Sequence, residues 1–374
     1  MQSAYFSLLL LLSGCITHHM YAGHFLSNNP FNLLASLQEN VQDLLAESDD
    51  EESFYSSDDD SDDMAIDFNI ASPSRFAYKI DTFLKNGGDP NFVDQGGRTL
   101  CHLAVELDDV DALELLIAHK AEVNAPHPQG ITPAHLAAYF NNVASLTLLI
   151  THKAKLDAVD INGFTPAHSA AQNNSIGALK LLAAHGAPVD TGDIKKSTPL
   201  HWAAGMGHVA ATDVLLTNGA GHCVNCIDAL GKTPLHRAAG VSSKVVKLLF
   251  DSGFIRRHTI NKIDHEGSTP LLYAASGGRR KAMELLIANG ASVNQRNKAN
   301  GRTPLLWVQR MTKGSYEKGG RMMSRKKGLN MIKTLLDHGA NPTINDYEGY
   351  SPLYWALHTQ RAEEIALLQS YIHN

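Results

Sequence analysis

The sequence predicts an all-α fold, a solenoid of stacked helix–turn–helix units with hairpin loops between them. Three observations predict it. A Gly-x-Thr-Pro-x-His-x-Ala-Ala pattern returns at a nearly constant interval. An apolar stretch ending in Leu-Leu follows each copy, and a Gly-Ala-x-Val-Asn turn then leads to the next. A period near 33 residues marks a quasi-one-dimensional array, in which each unit is stabilised by its neighbours.

The motif threonine falls at Thr99, Thr132, Thr165, Thr198, Thr233, Thr269 and Thr303, and Ser351 takes its place in the eighth copy. Successive spacings are 33, 33, 33, 35, 36, 34 and 48 residues. Threonine is a good helix N-cap, and proline at the next position fixes φ without wasting a donor. Small Ala pairs, such as Ala137-Ala138 and Ala203-Ala204, let the first helices approach closely. Leucine pairs, from Leu115-Leu116 to Leu367-Leu368, are expected to fill the layer between units. Gly186, Gly219, Gly253, Gly290 and Gly339 stand where the second helix should close in a left-handed turn. Lys120 and Lys153 take that place in the first two units, at some cost in strain. An Asp stands five residues before the Thr at Asp94, Asp160, Asp193, Asp228, Asp264 and Asp346, with His127 and Lys298 as departures.

Five segments follow from the pattern. Residues 1–29 are an apolar N-terminal segment whose core, residues 4–16, is too short for a transmembrane helix. It suits the apolar region of a secretory signal, and Leu12-Ser13-Gly14-Cys15 resembles a bacterial lipoprotein box, but the usual positive charge is missing. Residues 30–46 predict an amphipathic helix, with Asn29 as cap, Pro30 in the first turn, and Leu34, Leu37, Val41, Leu44 and Leu45 on one face. Residues 47–75 read as an acidic disordered linker, with ten Asp and Glu and five Ser within 47–63. Ser48, Ser56 and Ser57 each have an acid three residues on, a pattern that acidophilic kinases favour. Residues 76–96 hold a half repeat, because FLKNGGDPN at 83–91 matches the end of a second helix and its turn. The array proper runs over 97–374, with a basic insert at 310–333.

Composition narrows the function classes. Of 374 residues, 44% are hydrophobic and 7% aromatic, which suits stacked helix pairs. The net charge of −6 is unevenly spread: residues 1–74 carry 13 acids and no Lys or Arg, which leaves the remainder at 32 − 25, or +7. A body this mildly basic is not expected to bind nucleic acid. Four cysteines, Cys15, Cys101, Cys223 and Cys226, are too few for a disulfide scaffold and read as reduced thiols.

The T-P-x-H motif, as TPAH at 132 and 165 and TPLH at 198 and 233, with TPLL at 269 and 303 and SPLY at 351, resembles the ankyrin repeat family. The resemblance covers residues 97–374. It implies a curved stack of antiparallel helix pairs with projecting hairpins, serving protein–protein recognition. In that family the contact surface is the concave groove lined by first helices, together with the hairpin tips. Carried onto this chain, the residue after the motif His gives Leu103, Leu136, Ser169, Trp202, Arg237, Tyr273, Trp307 and Trp355. The positions after Ala-Ala give Tyr139, Phe140, Met206, Arg310 and Met311, and the hairpin tips give Ile131, Phe164 and Tyr350. Trp, Tyr and Arg are the usual hot-spot residues, so Tyr139, Phe140 and Arg237 are favoured for binding. The tryptophans could equally pack between neighbouring helices.

The insert holds Arg310, Lys313, Lys318, Arg321, Arg325, Lys326, Lys327 and Lys333 against Glu317 alone. Insertions in repeats map to loops on one face. Arg321, Arg325, Lys326 and Lys327 form a patch for an anionic ligand, or one masked by the acidic segment. Chemical motifs are weak. The recurrent His102, His135, His168, His201 and His236 predict a structural bond between repeats. His222-Cys223-x-x-Cys226 is a single CxxC in a longer loop, and Cys101 occupies a buried position. No cofactor and no metal site is expected.

The expected function is therefore a non-enzymatic scaffold or adaptor for a partner protein. One alternative is a bacterial effector that uses the same groove on host proteins. Another is a thiol-dependent enzyme centred on Cys101 or on Cys223 and Cys226. A cytoplasmic monomer is expected, in its own or a host cell; export or anchoring through Cys15 is the alternative. Membrane contact would come only from the N-terminal segment or the basic insert.

Overall fold

The computed structural model describes residues 73–312 and 324–372. Among these residues it is helical, with one isolated β-bridge between Val93 and Thr99. The apolar segment 1–29 with Cys15, the helix expected at 30–46, the serines of 47–63 and Arg321 all lie outside the described residues.

Helix α1, Pro73–Lys85, precedes eight helix pairs. The pairs are Leu100–Glu106 (α2) with Val110–Ala118 (α3), Pro133–Phe140 (α4) with Val143–Thr151 (α5), Pro166–Gln172 (α6) with Ile176–Ala184 (α7), and Pro199–Met206 (α8) with Val209–Thr217 (α9). Next come Pro234–Ala239 (α10) with Ser243–Asp251 (α11), and a short helix Arg257–Ile260 (α12). The last pairs are Pro270–Ser276 (α13) with Arg280–Ala288 (α14), Pro304–Thr312 (α15) with Arg325–Asp337 (α16), and Pro352–His358 (α17) with Ala362–Ser370 (α18). Helices of this length do not persist alone in water, so packing must hold them.

Each layer is filled from the second helix. Leu113 and Leu116, Leu146 and Leu149, and Leu179 and Leu182 are fully buried at i, i+3 spacing, while Leu115, Leu148 and Leu181 are only partly covered. In these layers it is the second leucine of each Leu-Leu pair that anchors the core. The Ala pairs of the first helices are completely buried, so a larger side chain there would push the row apart. The left-handed closures fall where the sequence placed them: Gly186, Gly219, Gly253, Gly290 and Gly339 have φ between 72° and 104°, and Lys120 and Lys153 have φ of 69° and 64°.

Three hydrogen-bonded seams join successive repeats. The first uses the motif histidine. Its Nδ1 accepts the N–H of the Thr that caps its own helix, as in Thr132 to His135 at 3.2 Å. Nε2 therefore carries the proton and donates to the carbonyl just before the next Thr: His102 to Ile131, His135 to Phe164, His168 to Ser197, His201 to Lys232 and His236 to Ser268, at 2.8–3.2 Å. The second seam uses the Asn of the V-N turn, whose Oδ1 accepts a backbone N–H of the next repeat. Asn91, Asn124, Asn225, Asn261 and Asn294 serve Glu122, Lys155, Arg256, Ser292 and Asn341. The third is a backbone ladder between hairpin tips. The N–H groups of Ile161, Ile194, Ala229, His265, Lys298 and Tyr347 donate to carbonyls of Gln129, Asn162, Lys195, Leu230, Glu266 and Asn300.

Irregular spacings have local causes. The extra residues near 220 form a 3-10 helix, Ala220–Asn225, with Cys223 buried inside it. They lie in the turn after α9 rather than in a hairpin. In repeat seven the carboxamide of Asn297 replaces the missing hairpin Asp and accepts the N–H of Arg302 at 2.9 Å. The C-terminal part of the insert is helical where a loop was expected: α16 has 13 residues, and its first turn, Arg325 to Gly328, is added to the repeat's second helix. No helix among the described residues is long and apolar enough to cross a membrane.

Candidate protein-binding surface

The first helices form one row, and the residue after each motif His lies on it. Three of these side chains are tied down by one device. Trp202 Nε1 donates to Asp193 at 3.1 Å, Arg237 Nη2 donates to Asp228 at 2.6 Å, and Tyr273 OH donates to Asp264 at 2.7 Å. In each case the acceptor is the hairpin aspartate nine residues upstream. The other carboxylate oxygen accepts the backbone N–H groups that close the hairpin, as Asp193 does for Lys195 and Ser197 at 2.8 Å. One buried carboxylate therefore fixes both the hairpin and the ring above it. Arg237 reaches further, to Ser197 Oγ of the preceding repeat at 3.0 Å. The guanidinium favoured as a free contact is thus a fixed, paired group that is one-fifth exposed.

Electrostatics follow from burial. Burial raises the Asp228 carboxyl, but the Arg237 charge and the N–H donors outweigh it, and the net shift is downward. Burial and the bond to Asp264 push the Tyr273 hydroxyl far up, so it stays a donor. The five motif histidines are held below their ordinary value by burial, His102, His201 and His236 to about 4, so all stay neutral at pH 7.

Beyond Trp202 the row pairs aromatic faces with cations. Arg237 lies 6.0 Å from the Trp202 ring, Lys232 5.0 Å from Tyr273, Arg302 5.8 Å from Trp307 and Arg310 5.4 Å from Trp355. Such pairs stiffen both partners and leave a flat, amphipathic surface. Tyr350 and Tyr354 stack at 4.7 Å beside Trp355, and Trp355 stacks on His358 at 6.0 Å. Tyr139 and Phe140 meet edge to face at 5.3 Å; Phe140 is 42% exposed. Met206 is half-buried.

Ile131, Phe164 and Tyr350 differ from expectation. None is at a hairpin tip; their carbonyls accept the N–H groups of His127, Asp160 and Asp346, which open the same hairpins. Ile131 is half-buried against the core, and Phe164 stacks on His168 at 5.3 Å and meets Trp202 edge-on at 5.0 Å. The tips proper carry Ile161, Ile194, Leu230 and Tyr347, all well exposed. The signal for them was the first or second position after the hairpin Asp, and for the anchored side chains it was the nine-residue interval from that Asp. In the basic patch Arg325, Lys326 and Lys327 are exposed, and Arg325 makes a loose pair with Glu363 at 3.8 Å.

Burial raises the thiols of Cys101 and Cys223 to about 12, the opposite of what a thiolate nucleophile needs. Among the described residues no three His, Cys, Asp or Glu side chains group to hold a metal ion.

Comparison with known proteins agrees with this architecture. A family model described as ankyrin repeats (3 copies) matches six overlapping stretches: 70–160, 102–193, 146–225, 187–257, 221–297 and 253–317. The chain is 30% identical over 138 residues to the B-cell lymphoma 3 protein homolog of Mus musculus, covering 37% of this chain and 28% of that protein. It is 29% identical over 119 residues to a putative ankyrin repeat protein of Acanthamoeba polyphaga mimivirus, covering 32% of this chain and 14% of that one. The match thus spans well under a third of either relative's length. Among solved structures, the human ASB11 ankyrin repeat domain superposes with a TM-score of 0.53 at 23% identity, covering 66% of this chain and all of that one, a likeness of fold. With the repeat motif, the three seams and the family match in agreement, the chain belongs to the ankyrin repeat family.

Proposed function

We propose that this chain is a non-enzymatic scaffold or adaptor that holds a partner protein along its row of first helices, the concave groove of an ankyrin array. Ankyrin repeats are in general protein–protein interaction modules. The observation that carries the reading is the aspartate-anchored series Trp202, Arg237 and Tyr273. Rings and a guanidinium already held in place lose little freedom when a partner arrives, so more of the contact energy appears as affinity. Phe140 with Tyr139, and Trp307 and Trp355 with Arg302 and Arg310, extend the surface along the array. The reading places it as a monomer in the cytoplasm of its own or a host cell; the three described cysteines are free, as a reducing compartment leaves them. The thiol-dependent alternative runs against the raised thiols, and nothing on the described surface favours an effector over an adaptor.

The test is affinity capture from lysate with the wild type and with Tyr139→Ala/Phe140→Ala/Trp307→Ala, each checked for folding by circular dichroism, with partners read by mass spectrometry. Partners lost by a folded variant support the groove. Partners retained in full would remove it.

A further inference from the structure

Three consecutive hairpins present large apolar side chains to solvent: Ile161 is 55% exposed, Ile194 66% and Leu230 50%. The backbone ladder ties neighbouring tips together, with Ile161 and Ile194 at equivalent positions and Leu230 one position later, after their equivalent Ala229. The row is bounded, since hairpin two shows Pro128 and Gln129 and hairpin six shows His265 and Glu266. An exposed apolar strip with polar ends marks a contact site. With helix layers about 10 Å apart it is roughly 20–30 Å long.

We propose that this strip is the docking site for residues 30–46 of the same chain. Three arguments select that occupant. The first is length and spacing. A helix of 17 residues is about 25 Å long, and residues seven apart on it lie about 10.5 Å apart, close to the spacing of the tips. Leu34 and Val41, and Leu37 and Leu44, are such pairs on one apolar face, while Glu39 and Asp43 fall on the opposite side. The second is reach. Residues 47–72 connect the segment to α1. As a relaxed coil that connection spans about 30 Å, and stretched about 90 Å. Hairpins three to five lie roughly 20–40 Å along the array from the first hairpin, within easy reach. The third is charge. The connection carries ten acids within 47–63, and Lys196 and Lys232 flank the strip on hairpins four and five. Residues 197–374 hold 22 Lys and Arg against 12 Asp and Glu, a net +10, whereas residues 97–196 hold 7 against 10, a net −3. The strip straddles that boundary, with Ile161 and Ile194 before it and Leu230 after it, so the acidic connection is drawn toward the Leu230 end of the strip.

Hydrogen exchange by mass spectrometry on the full chain tests this without any partner, so its outcome is separate from that of the groove reading. In the wild type the amides of 33–45 should exchange at least tenfold more slowly than an unstructured chain. Protection should be lost in the tip variant Ile161→Ser/Ile194→Ser/Leu230→Ser and in the segment variant Leu37→Ser/Leu44→Ser. Both should keep the wild-type melting profile of the array, because the tip side chains are exposed. Absence of protection in the wild type overturns the proposal. Protection that survives the tip variant means that the segment docks elsewhere, for instance on the first repeat, and overturns it equally. Protection that appears only as protein concentration rises assigns the strip to a second copy and overturns the intramolecular contact.

Discussion

Repeats one to five and repeats six to eight close the same turn with different chemistry. In the first group an imidazole caps its own helix and bonds the next repeat, so one side chain serves two junctions. In the second group Leu272, Leu306 and Tyr354 stand where the histidine was, and Thr269, Thr303 and Ser351 cap alone, each Oγ accepting one N–H at 3.0–3.4 Å. That group carries two of the three Trp–Arg pairs among the described residues, Trp307 with Arg302 and Trp355 with Arg310. The difference teaches that the polar seam can be dropped where aromatic packing takes over, and that the two ends of the array should answer differently to acid.

The largest expected effect follows from that contrast. In the folded chain the five imidazoles are held neutral by burial, three of them to about 4. In the unfolded chain they protonate near their ordinary value, so below it the unfolded state binds more protons. Stability is full above about pH 6.5 and is lost as pH falls towards 4, by about 1.4 kcal/mol per pH unit for each of His102, His201 and His236, with His135 and His168 acting in the same direction. Glu106 works in the opposite sense in repeat one, since burial raises it to about 7. Hydrogen exchange at neutral pH and near pH 5 should show residues 99–260 losing protection before 269–372. Equal loss at both ends would break the comparison.

A core truncation comes next. Leu146 is fully buried in repeat two, and Leu146→Ala should cost about 3 kcal/mol by urea unfolding. A cost under about 1 kcal/mol would mean that the layer collapses around the gap. Tyr273 sits at the boundary between the groups. Tyr273→Phe removes the donor to Asp264 and should cost about 2 kcal/mol, with the ring left in place. An unchanged midpoint would show that the anchor does not hold the ring. The smallest effect sharpens a detail of the first group. Lys153 has φ of 64° where later repeats have glycine, so Lys153→Gly should stabilise by about 0.5–1 kcal/mol, read as a rise in melting temperature. A fall would show that its stem contributes more by packing.

Much of this was legible in the residues. Thr132 and Pro133 announce a helix start, Gly186 announces a left-handed close, and His135 recurring at its fixed place announces a structural bond, because each is a local rule with few solutions. What was not legible depends on two residues meeting across a fold. Asp193 and Trp202 carry no local mark of contact, and only the repetition of the interval at Asp228 with Arg237 and Asp264 with Tyr273 reveals it afterwards. Phe164 was misplaced for a related reason. An apolar residue beside a hairpin glycine looks exposed in sequence, yet the returning backbone of the hairpin turns it onto His168. The added helical turn of α16 was missed because an insertion rich in charge carries no apolar period.

The seams also fix how the molecule bears a load. Every junction is tied only to its neighbours, so tension applied at the two ends passes through each junction in series, and the weakest yields first. The junctions beyond His236 lack the imidazole tie and keep the other two seams, so the first yield is expected at the C-terminal end. Each repeat that lets go frees about 33 residues, roughly 110 Å of slack. An optical-trap record should therefore show a staircase whose first, lowest-force steps come from that end.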